Sequence, residues 1–459
     1  MLKSNNHEKF LRLRSEYPVF TYEGYDQQYS ANGLQVQYHF NMSGRYFFHP
    51  TLVIPDRDFF LKDNCRPEFI DNILFHIGMV ELISYWKTAC PPKIRIKKRN
   101  ISEDQVIWWK ELYYKGLGEF FYLNSIDISQ DEFVEIECDP GKPDPPFQLM
   151  LKDSVVIPLG GGKDSVVTLE LLNGIENNIP LILNPREASM GTAKVKGYYY
   201  DSMIEVKRTI DPVLLELNEM GFLNGHTPFS ALLAFITVLA AVMSGKKYIA
   251  LSNESSANES TVEGTPINHQ YSKSVDFERN FRDYIRTYIS TDVEYFSFLR
   301  PLNELQIARL FAGFPKYFSV FKSCNAGSKT DTWCGKCPKC LFTYIILSPF
   351  IEQDILQRIF GRNLLEDITL LPVLNDLIGG TKVKPFDCIG TIDEVNAALC
   401  ATIRKLPEES LSRLLVEYKA SETFRKFEKF SIDQLLASYD EVHFLPEKFE
   451  KLLKAALHG

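Results

Sequence analysis

A chain of 459 residues is long enough for two or three domains. Hydrophobic residues make up 45% of it and charged residues 24%, which is typical of a soluble globular enzyme. The net charge of −8 argues against a broad nucleic-acid-binding surface, so we expect no nucleic-acid partner.

No segment of the chain is predicted to enter a membrane. Residues 1–18 lack the apolar stretch of a signal peptide. The longest apolar run, residues 231–243, is shorter than the ~20 residues that span a bilayer, so it predicts a buried helix. We therefore expect a cytoplasmic protein whose nine cysteines are reduced thiols or metal ligands rather than disulfides.

Residues 1–148 are predicted to form a separate α+β domain, which ends in a polar, proline-rich linker at residues 139–146. Its predicted elements are strands at residues 35–40, 46–54, 120–123 and 133–136, and helices at residues 70–87 and after the N-cap Ser102. The dense aromatic residues of this region fit a base or sugar site, but core packing explains them more simply.

A glycine loop follows a run of β-branched residues at 155–159 and precedes a helical apolar pattern. The loop consists of Gly160, Gly161, Gly162, Lys163, Asp164 and Ser165. Glycines let backbone N–H groups approach an anion closely, and a helix N-terminus adds partial positive charge. The loop therefore predicts a phosphate site, with a tight strand–helix turn as the alternative. It is not a Walker loop, because Lys163 is followed by Asp164.

Polar residues also follow the next predicted strands of this part of the chain, where a doubly wound sheet binds its ligands. Asn184 comes directly after the second strand, where a plain turn explains it equally well. Asn253 and Glu254 come after the third, and a carboxylate there can hold Mg²⁺ against phosphate oxygens. His269 and Lys273 lie in a further polar run. A solvated surface loop is the alternative for both polar segments.

Four closely spaced thiols predict a structural zinc site. The predicted ligands are Cys324, Cys334, Cys337 and Cys340. An iron–sulfur cluster or a set of free thiols is the alternative. The other cysteines are scattered and predict no function: Cys65, Cys90, Cys138, Cys388 and Cys400. Residues 346–459 predict a helical C-terminal region.

The glycine loop is similar to the SGGxDS loop of the N-type ATP pyrophosphatases, although Gly160 replaces its first serine. The loop and the cysteine spacing together resemble 7-cyano-7-deazaguanine synthase, a carboxylate-adenylating family of this kind. The resemblance implies that residues 149–345 form a catalytic domain of the adenine nucleotide alpha hydrolase-like class. Its fold would be an α/β, doubly wound parallel sheet.

A closer resemblance covers nearly the whole chain. The segments that carry it are PLGGGKDSVVTLE, GHTPFSALLAF, ALSNESSANE, NHQYSKS, YFSFLRPLNELQIARLF and SCNAGSKTDTWCGKCPKCLFTYIILSPF. They resemble the MurL family, whose members invert the terminal L-Glu of a UDP-linked muramoyl dipeptide to D-Glu for cell-wall synthesis. The resemblance implies a small-molecule substrate and a requirement for ATP and Mg²⁺. The N-terminal domain is then a candidate for recognising the UDP-muramoyl part.

The chemistry of the loop suits this activity. A carboxylate makes its α-proton a very poor acid, and adenylation removes that negative charge so that a base can abstract the proton. As hypothesised roles, the three glycines and Ser165 hold the β and γ phosphates, and Lys163 neutralises charge at the α-phosphate. Asp164 and Glu254 place Mg²⁺. The candidates for proton transfer are Glu254, His226, His269, Tyr271 and Lys273.

Two rival functions remain. One is another adenylating enzyme, either an amide ligase or a thiolase, which admits ammonia or sulfur to the activated group. The other is a nucleotide sensor that binds ATP without cleaving it. Substrate-dependent release of AMP separates an enzyme from a sensor, and the stereochemistry of the product separates an epimerase from a ligase.

Overall fold

The computed structural model of the protein describes residues 3–64, 66–139, 142–327 and 329–458. Within these residues, eleven strands join in one sheet of order β11-β10-β7-β8-β9-β4-β2-β1-β5-β6, with β3 beside β2. The strands are β1 (Val19–Ser30), β2 (Gly33–Met42), β3 (Tyr46–Phe48), β4 (Thr51–Ile54), β5 (Lys93–Ile96), β6 (Glu135–Cys138), β7 (Lys152–Pro158), β8 (Ile179–Leu183), β9 (Ile204–Arg208), β10 (Lys246–Leu251) and β11 (Glu294–Ser297).

The five strands from β7 to β11 form a parallel half-sheet of order β11-β10-β7-β8-β9. The chain winds outward from β7 in one direction and later in the other, so the winding reverses between β7 and β10. In open α/β sheets, a ligand crevice opens outside the carboxyl ends of the strands at such a reversal. The topology therefore places the ends of β7 and β10 side by side at the natural binding position.

The N-terminal strands continue the same sheet. β4 pairs with β9 in antiparallel fashion, with Leu52 opposite Arg208. β1, β5 and β6 are parallel to one another, whereas β1, β2 and β4 alternate in direction. The expectation of an α/β chain with a large, mostly parallel sheet is confirmed. Pro140 and Gly141 of the predicted linker lie outside the described residues, and the domain boundary at residue 148 stays a prediction.

Nineteen α-helices cover both faces of the sheet and the C-terminal region within the described residues. They are α1 (His7–Glu16), α2 (Pro67–Glu81), α3 (Ile83–Trp86), α4 (Glu103–Gly116), α5 (Gly118–Leu123), α6 (Lys163–Leu171), α7 (Glu187–Lys196), α8 (Pro212–Glu219), α9 (Phe229–Met243), α10 (Val275–Tyr288), α11 (Glu304–Ala312), α12 (Pro338–Leu347), α13 (Gln353–Phe360), α14 (Leu371–Leu377), α15 (Ile392–Lys405), α16 (Arg413–Ala420), α17 (Glu422–Phe427), α18 (Ile432–Leu436) and α19 (Glu447–His458).

One N-terminal element differs in type from its prediction. Residues 120–123 were expected to form a strand, but they belong to helix α5. Phe120 and Phe121 are both buried in the core, and Gly225 packs directly against Phe120. Aromatic residues favour strands only when they fit a pleated surface, so this tertiary packing overrides the local preference. The cap of α4 is confirmed, because Ser102 and Gln105 form a reciprocal capping box.

Two hydrophobic cores lie on opposite faces of the parallel half-sheet. Helix α9 and Val156 belong to one core, together with the buried aromatic residues of the N-terminal region. Helices α6, α11 and α12 belong to the other core, with Val155 and Ile157. Alternate residues of β7 thus face opposite layers, as strand geometry requires. Helix α9 confirms the buried helix expected at residues 231–243, and no helix in the described ranges is long and apolar enough to cross a membrane.

Candidate functional site

A cavity of about 410 Å³ opens where the chain leaves β7 and β10. The glycine loop forms one side of it and the segment after β10 forms another. Residues far along the chain complete the wall. The residues that line it include Gly160, Gly162, Asp164, Ser165, Arg186, Ser230, Ser252, Asn253, Glu254, Lys273, Lys322, Ser323, Cys324, Asn325, Lys339 and Cys388. The structure therefore brings the glycine loop and the predicted Glu254 segment to one site.

Two other segments of the chain pack closely against the glycine loop. Gly161 has a φ of +85°, and a Cβ placed there would lie 2.7 Å from the backbone carbon of Ala188. A Cβ at Gly162 would lie 2.7 Å from the Oγ of Ser323. At Gly160, by contrast, the space is open. The backbone therefore makes a close turn that only glycine permits at residue 161, and it leads straight into the N-terminus of α6.

Lys163 lies beneath the loop rather than in the cavity lining. Its Nζ bonds to the carboxylates of Asp164 and Glu304, and its side chain is only 2% exposed. Burial alone would lower the pKa of Lys163, but the two carboxylates outweigh burial and raise it. Lys163 is therefore a fixed positive charge behind the loop, which orients Asp164 toward the cavity.

Two carboxylates line the cavity, Asp164 from the first turn of α6 and Glu254 from the segment after β10. Burial would raise the pKa of Asp164, but Lys163 outweighs it and lowers that pKa. Burial and the charge of Asp164 together raise the pKa of Glu254. Asn253 lies beside Glu254 and donates from Nδ2 to the Oγ of Ser297 over 3.0 Å. Two carboxylates in one cavity are a suitable oxygen donor set for Mg²⁺.

Basic side chains face these carboxylates across the same cavity. They are Arg186, Lys273, Lys322 and Lys339. Lys322 also contacts the glycine loop, because its backbone N–H donates to the carbonyl of Gly161 over 2.9 Å. Burial lowers the pKa of Lys322. The combination of positive side chains, a helix N-terminus and two carboxylates can hold an anionic group together with a divalent cation.

Neither Asn184 nor Tyr271 reaches the cavity lining. Asn184 adopts a φ of +51° and accepts the backbone N–H of Arg208 with its Oδ1 over 2.7 Å. It closes the turn after β8, while its neighbours Leu183 and Arg186 contact the cavity. Tyr271 is buried away from the cavity, where its ring packs against Phe277.

His269 stands behind the cavity wall with a carboxylate from the N-terminal region. Its Nδ1 lies 2.5 Å from the Oε2 of Glu119, which is on helix α5. Burial would lower the pKa of His269, but hydrogen bonds to Cys388 and Glu119 raise it to about 9. The ring of His226 lies 4.5 Å from that of His269. Burial and the nearby charge of His269 lower the pKa of His226 to about 3, so His226 is neutral.

Cys388 was grouped with the scattered cysteines, but it lies at the cavity and not apart from it. It lies between α14 and α15, lines the cavity, and accepts a hydrogen bond from the Nζ of Lys273 over 3.1 Å. Glu119, Lys322 and Lys339 were also missed. No local motif marks any of these residues, because each comes from a different segment. Only the density of polar residues around His269 and Lys273 gave a sequence signal on this side of the site.

The four predicted zinc ligands are brought together beside the cavity. Cys324 and Cys337 have their Sγ atoms 3.7 Å apart, Cys334 and Cys340 theirs 3.8 Å apart, and Cys337 and Cys340 theirs 3.5 Å apart. Zn–S bonds of about 2.3 Å in a tetrahedron require S–S distances of about 3.8 Å. The backbone N–H groups of Gly327 and Cys334 point at the Sγ of Cys324. The donor set therefore fits a closed zinc site.

Two family models match the chain. One is described as the MurL N-terminal domain and matches residues 12–298, and the other is described as the MurL C-terminal domain and matches residues 320–428. A relative from Xanthomonas oryzae pv. oryzae is 34% identical over 359 residues, which cover 76% of this chain and 78% of the relative. It is named UDP-N-acetyl-alpha-D-muramoyl-L-alanyl-L-glutamate epimerase.

Two further relatives carry the same name. The one from Salinispora tropica is 34% identical over 73% of this chain and 74% of its own length. The one from a Micromonospora species is 35% identical over 72% of this chain and 74% of its own length. No solved structure matches the chain.

Proposed function

The chain belongs to the MurL family, and from this premise we propose that it is an epimerase of peptidoglycan precursor synthesis. Its substrate is UDP-N-acetyl-α-D-muramoyl-L-alanyl-L-glutamate, the compound in the names of the relatives. The reaction inverts the α-carbon of the terminal L-Glu to give D-Glu.

The inversion begins, in this proposal, with transfer of AMP from ATP to the terminal carboxylate. The observation that carries it is that the glycine loop and the carboxylates of Asp164 and Glu254 line one cavity with three lysines. Adenylation replaces the negative charge beside the α-carbon with an ester-like acyl group, which makes the α-proton acidic enough for a side chain to remove. Pyrophosphate and AMP are the by-products, and water releases the AMP.

The roles of the loop residues follow from their positions. The N–H groups at the start of α6 and the hydroxyl of Ser165 hold phosphate oxygens. Asp164 and Glu254 hold Mg²⁺, which offsets the negative charge of the phosphates. Lys163 lies beneath the loop, where its positive charge lowers the pKa of Asp164 and keeps that carboxyl group ionised. This arrangement, at the reversal of a parallel sheet, is our basis for assigning the N-type ATP pyrophosphatase fold.

The four-cysteine cluster, in this proposal, holds a structural Zn²⁺. Cys324 lines the cavity, and Lys339 between Cys337 and Cys340 does so as well. The ion would fix the segment before α12 against the start of that helix. It would thereby set the position of two residues of the cavity wall without taking part in the reaction.

The test is to incubate the protein with ATP, Mg²⁺ and the UDP-muramoyl dipeptide, and to measure AMP, pyrophosphate and the chirality of the glutamate after hydrolysis. The proposal predicts AMP only when the dipeptide is present, together with D-Glu. D-Glu without AMP would refute the adenylation step. AMP without D-Glu would favour an amide ligase, and AMP independent of the dipeptide would indicate a different carboxylate.

A further inference from the structure

We propose that Cys388 is a catalytic residue, which removes or returns the α-proton on one face of the glutamyl α-carbon. This inference rests on the proposed epimerase function. It assigns the proton transfer to a side chain that has no neighbouring motif. Its basis is a cluster of four polar side chains, Glu119, His269, Lys273 and Cys388, which we call the thiol wall.

The position of Cys388 suits contact with the substrate. Its side chain is partly buried and lines the same cavity as Gly162, Asp164 and Glu254. A carboxyl group activated beside the glycine loop would therefore have its α-carbon within the cavity that Cys388 lines. The cavity volume of about 410 Å³ is in the range of small-molecule sites.

The contacts of Cys388 favour a negatively charged sulfur. The Nζ of Lys273 donates to its Sγ over 3.1 Å, and the ring of His269 hydrogen-bonds the same thiol. Lys339 approaches from a third side, where its Nζ bonds to the carbonyl of Cys388. Positive groups around a thiol stabilise the thiolate, which is its proton-accepting form.

Glu119 holds His269 in this arrangement. Its Oε2 engages the Nδ1 of His269 at 2.5 Å and fixes the orientation of the ring. A buried carboxylate behind a histidine also stabilises the positively charged form of that ring. Glu119 and His269 therefore act as positioning residues for Cys388.

The contacts of Cys388 lower the pKa of its thiol by more than burial raises it. Burial would raise the pKa of Cys388, but Lys273, His269 and Lys339 lower it to about 5. Cys90 and Cys400 provide the comparison, because burial raises the pKa of both. Of these three thiols, Cys388 alone is poised to accept a proton at neutral pH.

The proton transfer then has a simple balance. The bond between the α-carbon and its proton breaks as an S–H bond forms on Cys388, and the electron pair moves onto the oxygen of the activated carboxyl group as an enolate. A water molecule in the cavity gives a proton to the opposite face of the α-carbon. The resulting hydroxide then takes the proton from Cys388, which restores the thiolate.

The experiment separates adenylation from inversion in wild-type protein, Cys388→Ser and the control Cys138→Ser. Cys138 is a partly buried cysteine of β6 in the N-terminal region. Adenylation is measured as dipeptide-dependent exchange of labelled pyrophosphate into ATP, and inversion as D-Glu with α-deuterium formed in D₂O. We expect Cys388→Ser to keep exchange within about threefold while inversion falls at least ~100-fold, the scale of a lost general base. Cys138→Ser should retain both activities.

Equal loss of exchange and inversion in a folded Cys388→Ser protein would overturn the proposal, as would inversion at the wild-type rate. A dipeptide attached to Cys388 through a thioester would also contradict it. If wild-type protein gives neither exchange nor inversion, the proposed function itself fails. If the variant does not fold, alkylation of wild-type protein with iodoacetamide decides the question: modification of Cys388, located by peptide mapping, must stop inversion and spare exchange.

Discussion

The two sides of the cavity are built in different ways. The glycine wall, residues 160–165, is continuous in the chain and runs from the loop after β7 into the first turn of α6. The thiol wall is assembled from helix α5, the segment before α10 and the segment before α15. The first wall has the phosphate-binding features of a strand–loop–helix turn, and the second has charged and nucleophilic side chains that meet only in the folded chain. In the proposed mechanism the two walls divide the work, because one activates the carboxyl group and the other moves the proton.

Loss of zinc is expected to damage both walls together and to have the largest effect. Cys337→Ser removes one ligand of the proposed zinc site, which would hold Cys324 and Lys339 at the cavity. A structural zinc stabilises a fold by several kcal/mol, so we expect at least about 3 kcal/mol less stability. Metal analysis should find one zinc per wild-type chain and a large loss in the variant. Equal stability of the two proteins in urea would contradict a structural role.

Asp164→Asn tests the glycine wall. The variant removes the negative charge of Asp164, which the neighbouring Lys163 stabilises. We expect both AMP formation and inversion to fall roughly 10²–10³-fold. The exposed residue Asp201 offers the control Asp201→Asn, which should retain both activities. AMP formation by Asp164→Asn at the wild-type rate would show that the glycine wall does not act on ATP.

His269→Asn tests the thiol wall, and only one of the two activities should fall. Inversion should fall about tenfold, less than the 10²–10⁴-fold that a proton-transfer group itself contributes, while pyrophosphate exchange is retained. Without the neighbouring His269, the pKa of Cys388 should rise from about 5, and the pH at which iodoacetamide modifies it should rise with it. An unchanged alkylation profile would exclude His269 as a positioning residue.

Gly161→Ala and Gly160→Ala form a matched pair within the glycine wall. Gly161 combines a φ of +85° with the close approach of Ala188, whereas the space at Gly160 is open. A left-handed backbone costs a residue with a Cβ about 1–2 kcal/mol, and the contact adds to this. We expect the free energy of unfolding to fall by about 2 kcal/mol for Gly161→Ala and much less for Gly160→Ala. Similar losses in urea denaturation would mean that the turn is not tightly held.

The smallest expected effect concerns a carboxyl group behind the glycine wall. Burial and the nearby Glu304 raise the pKa of Glu394 from 4.5 to about 7. Between pH 4.5 and about pH 7, Glu394 stays protonated in the folded protein but loses its proton in the unfolded chain. The stability that Glu394 contributes therefore falls as the pH rises, and it levels off above about pH 7. Raising the pH from about 6 to about 8 should therefore lower the free energy of unfolding by about 1 kcal/mol. Urea denaturation of Glu394→Gln should show a correspondingly weaker pH dependence.

The sequence predicted the features that depend on neighbouring residues. The buried helix at residues 231–243, the strand before Gly160 and the grouping of four cysteines all follow from local patterns, and the structure has each of them. The joining of β4 to β9 and the meeting of Glu119 with His269 depend on pairing across the fold, which local patterns do not encode. For the same reason Cys388 was grouped with the other scattered cysteines, although its surroundings differ from those of Cys400.

The most direct test of the division of labour is the stoichiometry of one reaction in D₂O. Wild-type protein is mixed with ATP, Mg²⁺ and the UDP-muramoyl dipeptide, and AMP and α-deuterated D-Glu are counted over the same initial period. The account predicts that every D-Glu carries deuterium and is matched by at least one AMP. D-Glu that accumulates in excess of AMP, or without deuterium, would contradict the claim that activation at one wall precedes proton exchange at the other.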